Sequence, residues 1–190
     1  MNASTALRAA RADKGWSQRE LGRRCGVAQP SLSDIESGER DTTVGKLEQI
    51  LRAAGYRLVA IPTTRPTVAD WAVALASSLI HDPGAVEKSI VQVADDLASS
   101  KPSACIASCI TPPPPTGSVA IDAVLAGLVE HVLASRGLPV PAWVVDDCRR
   151  SDEPWDLVDL PGLRQIARDD TPEPFRRRNV FVPADLLASV

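Results

Sequence analysis

The stretch GVAQPSLSDIESG, residues 26–38, constrains the fold more than any other part of the sequence. A glycine stands at each end of a run of mostly small polar residues, which contains one proline and only two large aliphatic residues, Leu32 and Ile35. Because these two are three positions apart, a helix buries both on one side and leaves the polar residues outside. Gly26 and Gly38 suit the positive φ that is common just beyond a helix end. The stretch predicts a short helix with an exposed polar face, entered through a tight glycine turn.

Helix signals on both sides predict a small helical bundle. Ser17 and Glu20 have capping-box spacing, in which each side chain accepts a hydrogen bond from the other residue's amide, so a second helix is predicted from Ser17 to Gly26. A first helix is predicted over residues 5–14. A fourth is predicted before Gly55, with its apolar stripe at Val44, Leu47, Ile50, Leu51 and Ala54.

The segment YRLVAIP, residues 56–62, has strand-forming composition and ends at a proline. After it, PTTRPT reads as a linker. We therefore expect a helical domain over residues 1–61 that ends in one strand suited to dimerisation, a linker over 62–67, and a second domain over 68–190.

The second domain is predicted to be helical with a short β element. Helices are expected over residues 68–80, 84–100 and 118–137, with a stiff, extended spacer at TPPPPTGS, residues 111–118. Toward the end we expect a short helix at 162–168, a strand at 175–182 and a last helical turn at 183–189. With 44% hydrophobic but only 4% aromatic residues, the core consists of small aliphatic side chains, which favours a mostly α protein.

Charge is divided unevenly between the two regions. Residues 1–66 hold 11 Lys and Arg against 7 Asp and Glu, a net charge of +4, whereas residues 67–190 hold 10 against 17, a net charge of −7. Only the basic N-terminal region is therefore expected to meet a polyanion.

Other classes of protein are disfavoured by what the sequence lacks. No apolar run approaches the roughly 18 residues that span a bilayer, and the N-terminal stretch lacks the apolar centre of a signal peptide, so we expect a cytoplasmic protein. The four cysteines form no CxxC pair and lie far from both histidines, so we expect no metal site, no cofactor and idle or buried thiols. No phosphate loop, HExxH or GxSxG motif is present, so we expect no enzyme.

Two helices, the second exposing small polar side chains from its first turns, are typical of a helix-turn-helix whose second helix enters the DNA major groove. In that geometry glutamine pairs with adenine N6 and N7, and serine or aspartate contacts base edges. Gln29, Ser31, Ser33 and Asp34 are the candidates for direct hydrogen bonds, since Pro30 offers no donor. A helical bundle that binds protein instead of DNA is the alternative.

The segment from WSQRELGRRCGVAQPSLSDIESGE to KLEQILRAAG resembles the Cro/C1-type (XRE) helix-turn-helix family over about residues 5–61. The resemblance implies that Gln18 and Arg19 approach phosphates. It implies that the DNA-facing side chains of the next helix are Gln29, Pro30, Ser31, Ser33 and Asp34. Arg40 is a further candidate for phosphate contact, although an ordinary solvated charge remains open for it. The sequence departs from the family at Ala28, where serine or threonine is usual, so the N-cap is lost. Because Pro30 offers no donor to a base, part of the specificity is expected from DNA shape.

One such domain makes few phosphate contacts, so we expect two copies about 34 Å apart on DNA, in a homodimer or larger assembly. Similar strands in antitoxins of this family join two protomers, which implies that role for YRLVAIP. Packing of the strand on its own helices is the alternative.

The stretch FRRRNVFV places Phe175, Arg176, Arg177 and Arg178 together. In a strand, three guanidinium groups would fan out from one rigid element and fit an acidic or phosphate-binding partner. Internal salt bridges to the acidic residues of the domain are the competing interpretation.

The overall layout, with its PxxFRRRxVFV element, resembles antitoxins that neutralise a nucleotidyltransferase-type toxin. This implies a protein that binds the toxin through its C-terminal domain and represses its own operon. Under that interpretation the candidate anchors are Trp71, Trp143, Trp155 and Phe175. The alternative is a free-standing transcription regulator whose C-terminal domain senses a small molecule or sets the oligomeric state.

Overall fold

The computed structural model describes residues 2–158 and 164–187. These residues form a mostly helical protein with one two-stranded sheet, as expected. The helices are α1 (Ala3–Asp13), α2 (Gln18–Cys25), α3 (Gln29–Ser37), α4 (Val44–Ala53), α5 (Val68–His81), α6 (Val86–Ala98), α7 (Pro102–Cys109), α8 (Val119–Ser135), α9 (Arg164–Asp170) and α10 (Glu173–Arg176). The strands are β1 (Trp155–Asp156) and β2 (Val180–Phe181), which pair in parallel. No helix in the described part of the chain is long and apolar enough to cross a membrane.

Helices α1–α4 form the N-terminal bundle around a compact apolar cluster. The cluster consists of Ala6, Leu7, Ala10, Leu21, Cys25, Val27, Leu32, Ile35, Ile50, Leu51 and Ala54. Helix starts follow the sequence signals, because the side chains of Asn2, Ser17 and Thr43 each accept a hydrogen bond from an amide in the first turn.

Two details of the N-terminal bundle differ from expectation. The capping box at α2 is only half formed, because the Glu20 carboxylate pairs with Arg23 and Arg24 instead of the Ser17 amide. Val44 is 74% exposed, because it is the first residue of α4 and lies beyond the edge of the core.

The strand expected over residues 56–62 is absent from the single chain, so that expectation was wrong for this state. Residues 57–60 are exposed, and Val59 is 76% exposed. A strand needs a hydrogen-bonded neighbour, and none of the described residues pairs with this segment. The segment remains an exposed connection to the linker.

Helices α5–α8 and α10, with the two strands, form the C-terminal bundle around its own apolar cluster. Helix α8 is the central element: residues 121–129 are all buried, so it is covered on every side and not along one stripe only. Gly127 lies where a Cβ atom would come within 2.7 Å of Cδ1 of Phe175, so the glycine lets α10 approach α8 closely.

The C-terminal region differs from expectation in three places. Helix α7 was not predicted, although Pro102 at its first position is a typical helix start. The proline tract is extended, as expected, but it does not act as a spacer, because Pro112, Pro113 and Pro114 are buried against the bundle. The strand at 175–182 is reduced to β2, because the residues before it form α10 and a turn in which Asn179 has φ of 60°.

Other C-terminal predictions agree approximately. Residues 68–81 and 86–98 form the expected hairpin, and Ala184–Leu187 form a 3-10 turn where a last helical turn was expected. Helix α9 covers most of the expected 162–168 helix, while residues 162, 163, 188 and 189 of these two predictions lie outside the described residues.

The two bundles meet through α1 and α5. The connection between them is fastened at Arg65, whose Nη1 donates to Oδ1 of Asp96 at 2.5 Å. The same carboxylate accepts from Nε1 of Trp71 at 3.2 Å and from Nε2 of Gln92 at 3.1 Å. Three donors satisfy this buried charge, so the link is held against the C-terminal bundle.

Candidate nucleic-acid interface

The turn between α2 and α3 is held by a glycine and a buried valine. Gly26 has φ of 70°, and the amide of Val27 donates to the Gly22 carbonyl at 3.1 Å. Val27 returns to the core, and Leu32 and Ile35 are 0% and 4% exposed. These contacts fix the angle between α2 and α3 and turn the polar side of α3 outward.

We call that side the reading face; it consists of Gln29, Pro30, Ser31, Ser33 and Asp34. Gln29 and Pro30 are exposed, and the other three are partly exposed. Helix α3 packs mainly against α1 and α2, so the described parts of the C-terminal bundle leave the face open. The sequence prediction that α3 presents small polar groups is consistent with this placement.

A hydrogen-bonded network built on one buried carboxylate supports the reading face. Glu36 is 3% exposed, and Arg11 donates to its two carboxylate oxygens at 2.8 and 2.9 Å. Nε2 of Gln18 donates to Glu36 at 2.9 Å, and Nε2 of Gln29 donates to Oε1 of Gln18 at 2.9 Å. The hydrogen bonds therefore link Arg11, Glu36, Gln18 and Gln29 in that order. They orient both glutamine amides and leave Oε1 of Gln29 unused.

Gln29 keeps the groups needed to bind adenine. Recognition of N6 and N7 takes one amide oxygen and one amide hydrogen. The Gln29 amide has two hydrogens, of which one is directed to Gln18, so the second and the oxygen remain available. The network thus restricts the rotamer before DNA arrives, which lowers the entropy cost of binding.

Two exposed cations flank α3 without ion pairs among the described residues: Arg19 at the start of α2 and Arg40 after α3. Arg40 is tied by its backbone amide to the Asp34 carbonyl at 3.0 Å, while its guanidinium lines a groove of about 550 Å³ with Ser31 and Lys46. Phosphate contact by Arg19 and Arg40 therefore stays a prediction from the sequence.

Other arginines of the bundle are engaged within the protein. Arg23 and Arg24 both donate to Glu20, at 2.8 and 2.6 Å. The hydrogen bonds from Arg23 and Arg24 and their positive charge lower the pKa of Glu20 to about 2, against a raising effect of burial. Arg24 also stacks 4.2 Å from the ring centroid of Trp16. Positive charge alone therefore does not identify the DNA-facing residues.

The N-terminus of α3 lacks a side-chain cap, as Ala28 predicted. Ala28 makes no capping hydrogen bond, and Pro30 lies in the first turn. The amides of this turn are consequently open, and the positive end of a helix dipole favours a phosphate.

The residues expected to bind a partner are placed differently from the prediction. Phe175 is 0% exposed and belongs to the core, and Arg178 is 4% exposed, so neither is a surface anchor. Arg176 and Arg177 are exposed, but Nη2 of Arg176 donates to the Thr171 carbonyl at 2.7 Å and Arg177 pairs with Glu130. The three guanidinium groups do not fan out from a strand because α10 and its following turn carry them in different directions.

The tryptophans expected as anchors are engaged within the C-terminal bundle. Trp143 is 5% exposed and donates to the Cys109 carbonyl at 2.9 Å, and Trp71 is partly buried beside Asp96. Trp155 is partly buried in β1.

Among the described residues no group of His, Cys, Asp and Glu forms a metal-binding cluster. Three cysteines are buried and Cys148 is exposed.

Two features escaped sequence reasoning. The Arg11–Glu36 pair joins residues 25 positions apart, so no local pattern indicates it. The arginines of the DDCRRSDE stretch come close to the FRRR stretch only through the tertiary fold. Their signal in the sequence is limited to two short clusters of arginine.

A glycine turn between two short helices, with an open polar face on the second, defines the helix-turn-helix class of DNA-binding domain. Residues 7–61 match the family model described as helix-turn-helix, which supports the Cro/C1-type resemblance for the N-terminal bundle and supports a sequence-specific DNA-binding regulator. No curated protein and no solved structure matches the chain.

Proposed function

We propose that this protein is a transcriptional repressor that binds an operator as a dimer and reads bases with α3. The observation that carries the proposal is the reading face, which is accessible, polar and held by the hydrogen bonds that link Gln29 through Gln18 to the buried Glu36.

Each residue of the reading face has a distinct expected role. Gln29 is suited to adenine, and the Asp34 carboxylate is suited to accept a hydrogen bond from cytosine N4. The negative charge of Asp34 also repels phosphates, which disfavours binding of α3 in a wrong register on the DNA. Ser31 and Ser33 add short hydrogen bonds or water-mediated contacts. Pro30 contributes shape and apolar contact, because it has no donor.

Dimer formation is proposed to use the exposed segment of residues 57–60. Leu58 and Val59 are 39% and 76% exposed, an unusual position for apolar residues of strand-forming type. A second copy would supply the missing hydrogen-bonding strand and cover these side chains. The linker fixed by Arg65 keeps the segment close to both bundles.

Operator selection from a random duplex library, followed by titration in fluorescence anisotropy, tests the DNA-reading role. Gln29→Ala and Ser33→Ala should each weaken operator binding by about 1–3 kcal/mol if they lose a good contact, and leave random DNA unaffected. Arg40→Gln should weaken both and reduce the salt slope by about 1. Gln165→Ala, on the exposed surface of α9, is the matched control.

Equal losses on operator and random DNA for Gln29→Ala would contradict base reading. A full loss of binding in Gln165→Ala would point instead to the C-terminal bundle.

Light scattering tests the dimer separately. The wild-type chain should have twice the mass of one 20.2 kDa chain, and Val59→Glu should shift it to the monomer. Ile80→Glu is the control, because Ile80 is also 76% exposed but lies on α5. A Val59→Glu protein that stays dimeric would refute the role of this segment.

An antitoxin role is a second candidate. The charge of −7 over residues 67–190 and the exposed Arg176 and Arg177 support a protein-binding surface on the C-terminal bundle. Co-expression with the product of the adjacent gene tests it: the toxin hypothesis requires both retrieval of that product and rescue of growth. If Arg176→Glu and Arg177→Glu proteins still retrieve the product and rescue growth, other residues make the contact. If the wild-type protein neither retrieves the product nor rescues growth, the antitoxin role is rejected.

A further inference from the structure

A second arginine cluster lies in the C-terminal bundle, remote in sequence from the reading face. A pocket of about 230 Å³ opens between the pairs Arg149–Arg150 and Arg177–Arg178. Its other walls are Val144, Val145, Asp146 and Asp147. We call it the arginine pocket.

Arg149 is buried, lies 5.2 Å from the ring centroid of Trp143, and is only partly hydrogen-bonded. It is 7% exposed, and Nη2 donates to the Pro113 carbonyl at 2.7 Å. Its nearest carboxylate, Asp122, lies 4.0 Å from Nη1. Nε is buried and has no hydrogen-bond acceptor among the described residues. Buried guanidinium groups are normally fully hydrogen-bonded, so Arg149, which is one of the residues lining the pocket, keeps one donor that no described residue satisfies.

Asp122 is a weak counter-ion for Arg149. Burial raises the pKa of Asp122, and its Oδ1 already accepts from the Thr116 amide at 3.0 Å. At 4.0 Å this carboxylate is beyond hydrogen-bond range of Arg149, so the two charges meet without a direct hydrogen bond.

On the opposite side, one carboxylate serves two arginines. Arg178 is 4% exposed and donates to the Val144 carbonyl at 2.7 Å, and its Nη2 lies 2.7 Å from Oε2 of Glu130. Arg177 pairs with the same oxygen of Glu130. Internal salt bridges thus account for these two residues. Arg149 has only the 4.0 Å contact with Asp122, and Arg150 has no ion pair among the described residues.

The two aspartates of the pocket wall do not neutralise the charge of the arginines. Asp146 and Asp147 are exposed, whereas Arg149 and Arg178 are buried. Exposed carboxylates are solvated at little cost, and their attraction to the buried guanidinium groups is screened by water.

We propose that the arginine pocket binds the phosphoryl group of a small molecule. Guanidinium forks match phosphate oxygens in bidentate geometry, and a converging set of them is the usual means of binding such a group. The volume is below the roughly 300–1,000 Å³ of pockets that enclose a drug-sized ligand, so the phosphoryl group is enclosed and the rest of the ligand extends outward. The concave shape favours a small ligand over the backbone of a DNA duplex. This proposal does not depend on DNA binding by α3.

Isothermal titration of the full chain at constant ionic strength tests the proposal, with inorganic phosphate and glycerol 1-phosphate as probes. Saturable binding of one equivalent is expected for both. Tighter binding of glycerol 1-phosphate would indicate a phosphorylated metabolite, and tighter binding of inorganic phosphate would indicate free phosphate as the source. Absence of saturable binding by either probe would overturn the proposal.

Arg150→Gln and Arg177→Gln change exposed residues of the pocket, so the fold should survive, as circular dichroism would verify. Each should raise the dissociation constant of the tighter probe about tenfold, the loss expected for one charge-assisted hydrogen bond. Arg176→Gln is the matched control, since it removes the same charge from the neighbouring position outside the pocket and should leave the constant unchanged. An equal change in Arg176→Gln would mean general charge attraction and would overturn the site.

Competition separates this site from the reading face. Gln29→Ala should bind phosphate like the wild type whether or not its operator binding is lost. If random duplex DNA displaces the probe and Arg150→Gln also weakens DNA binding, the cluster is a DNA contact and the small-molecule proposal fails.

Discussion

The contact between Gly127 and Phe175 makes a quantitative prediction about the C-terminal core. A Cβ atom on residue 127 would lie 2.7 Å from Cδ1, 3.1 Å from Cε1 and 3.2 Å from Cγ of Phe175. These distances are inside the roughly 3.5–4.0 Å optimum for carbon atoms, and Phe175 is completely buried. Gly127→Ala therefore requires the ring or α10 to move.

Two opposing effects set the size of the change. Overpacking of a core costs about 1–3 kcal/mol, and the close approach to three ring atoms favours the upper half of that range. Replacing glycine by alanine inside a helix contributes about 1 kcal/mol in the other direction. Gly127→Ala should therefore lower the free energy of unfolding by about 1–2 kcal/mol.

The double variant tests whether this contact is the cause. Phe175→Leu removes the ring and should itself cost about 1–3 kcal/mol, through lost contacts and a partly filled cavity. In that background the alanine methyl has space, so Gly127→Ala should be neutral or stabilising. The coupling free energy between the two sites should be about 2 kcal/mol.

Urea denaturation monitored by tryptophan fluorescence is a suitable assay, because Trp71, Trp143 and Trp155 report on the C-terminal bundle. Gly45→Ala provides a control, since a Cβ atom there meets nothing within 4 Å. Additive effects of Gly127→Ala and Phe175→Leu would refute the reasoning. So would a Phe175→Leu protein of unchanged stability, which would return Phe175 to the surface role first predicted for it.

Two further predictions concern buried or paired carboxylates. Glu36→Gln should destabilise the N-terminal bundle by about 2–3 kcal/mol, because it leaves Arg11 without its counter-ion and turns an amide donor toward Gln18. Thermal unfolding measures the loss of stability, and operator titration measures any loss of DNA affinity. Unchanged operator affinity in a folded variant would contradict a supporting role for the network. Asp156→Asn should cost about 1 kcal/mol near neutral pH, since Arg168 holds the carboxylate with bonds of 2.7 and 2.6 Å. These bonds lower the pKa of Asp156. The stabilisation from the ion pair is therefore fully present above the ordinary pKa of about 4 and is lost as the pH falls through the lowered value. In urea titrations the free energies of unfolding of wild type and variant should become equal at that low pH.

The N-terminal bundle was predictable because its signals are local. Ser17 as an N-cap, Gly26 as a left-handed stop and the Leu32–Ile35 spacing each act within one or two helical turns. Those signals also located the reading face. They did not reveal the network that joins Gln18 and Gln29, because its bonds run between α2 and α3 and between α3 and Arg11 of α1, and form only once these helices have packed.

The C-terminal errors arose where tertiary contacts outweigh local preference. FRRRNVFV has strand composition, but the ring of Phe175 packs against Gly127 and the preceding TPEP sequence starts a helical turn. The proline at the first turn was an available signal. The buried proline tract gave no such signal, since its composition alone is typical of an exposed spacer.

The position of Arg11 explains how the two bundles can influence one another. On one side it donates to Glu36 beneath α3, and on the other it lines a cavity of about 570 Å³ that also touches Pro114 and Pro115. The carbonyl of Pro113, one residue earlier, accepts from Arg149 of the arginine pocket. A ligand in that pocket therefore contacts an arginine that is bonded to the same proline tract that faces α1. Such proximity becomes regulation only if the ligand binds more tightly to one arrangement of α1 than to another. The factor by which the ligand changes operator affinity must then equal the factor by which bound operator changes phosphate affinity. Equal phosphate affinities with and without operator would mean that the two sites act independently, with both remaining intact.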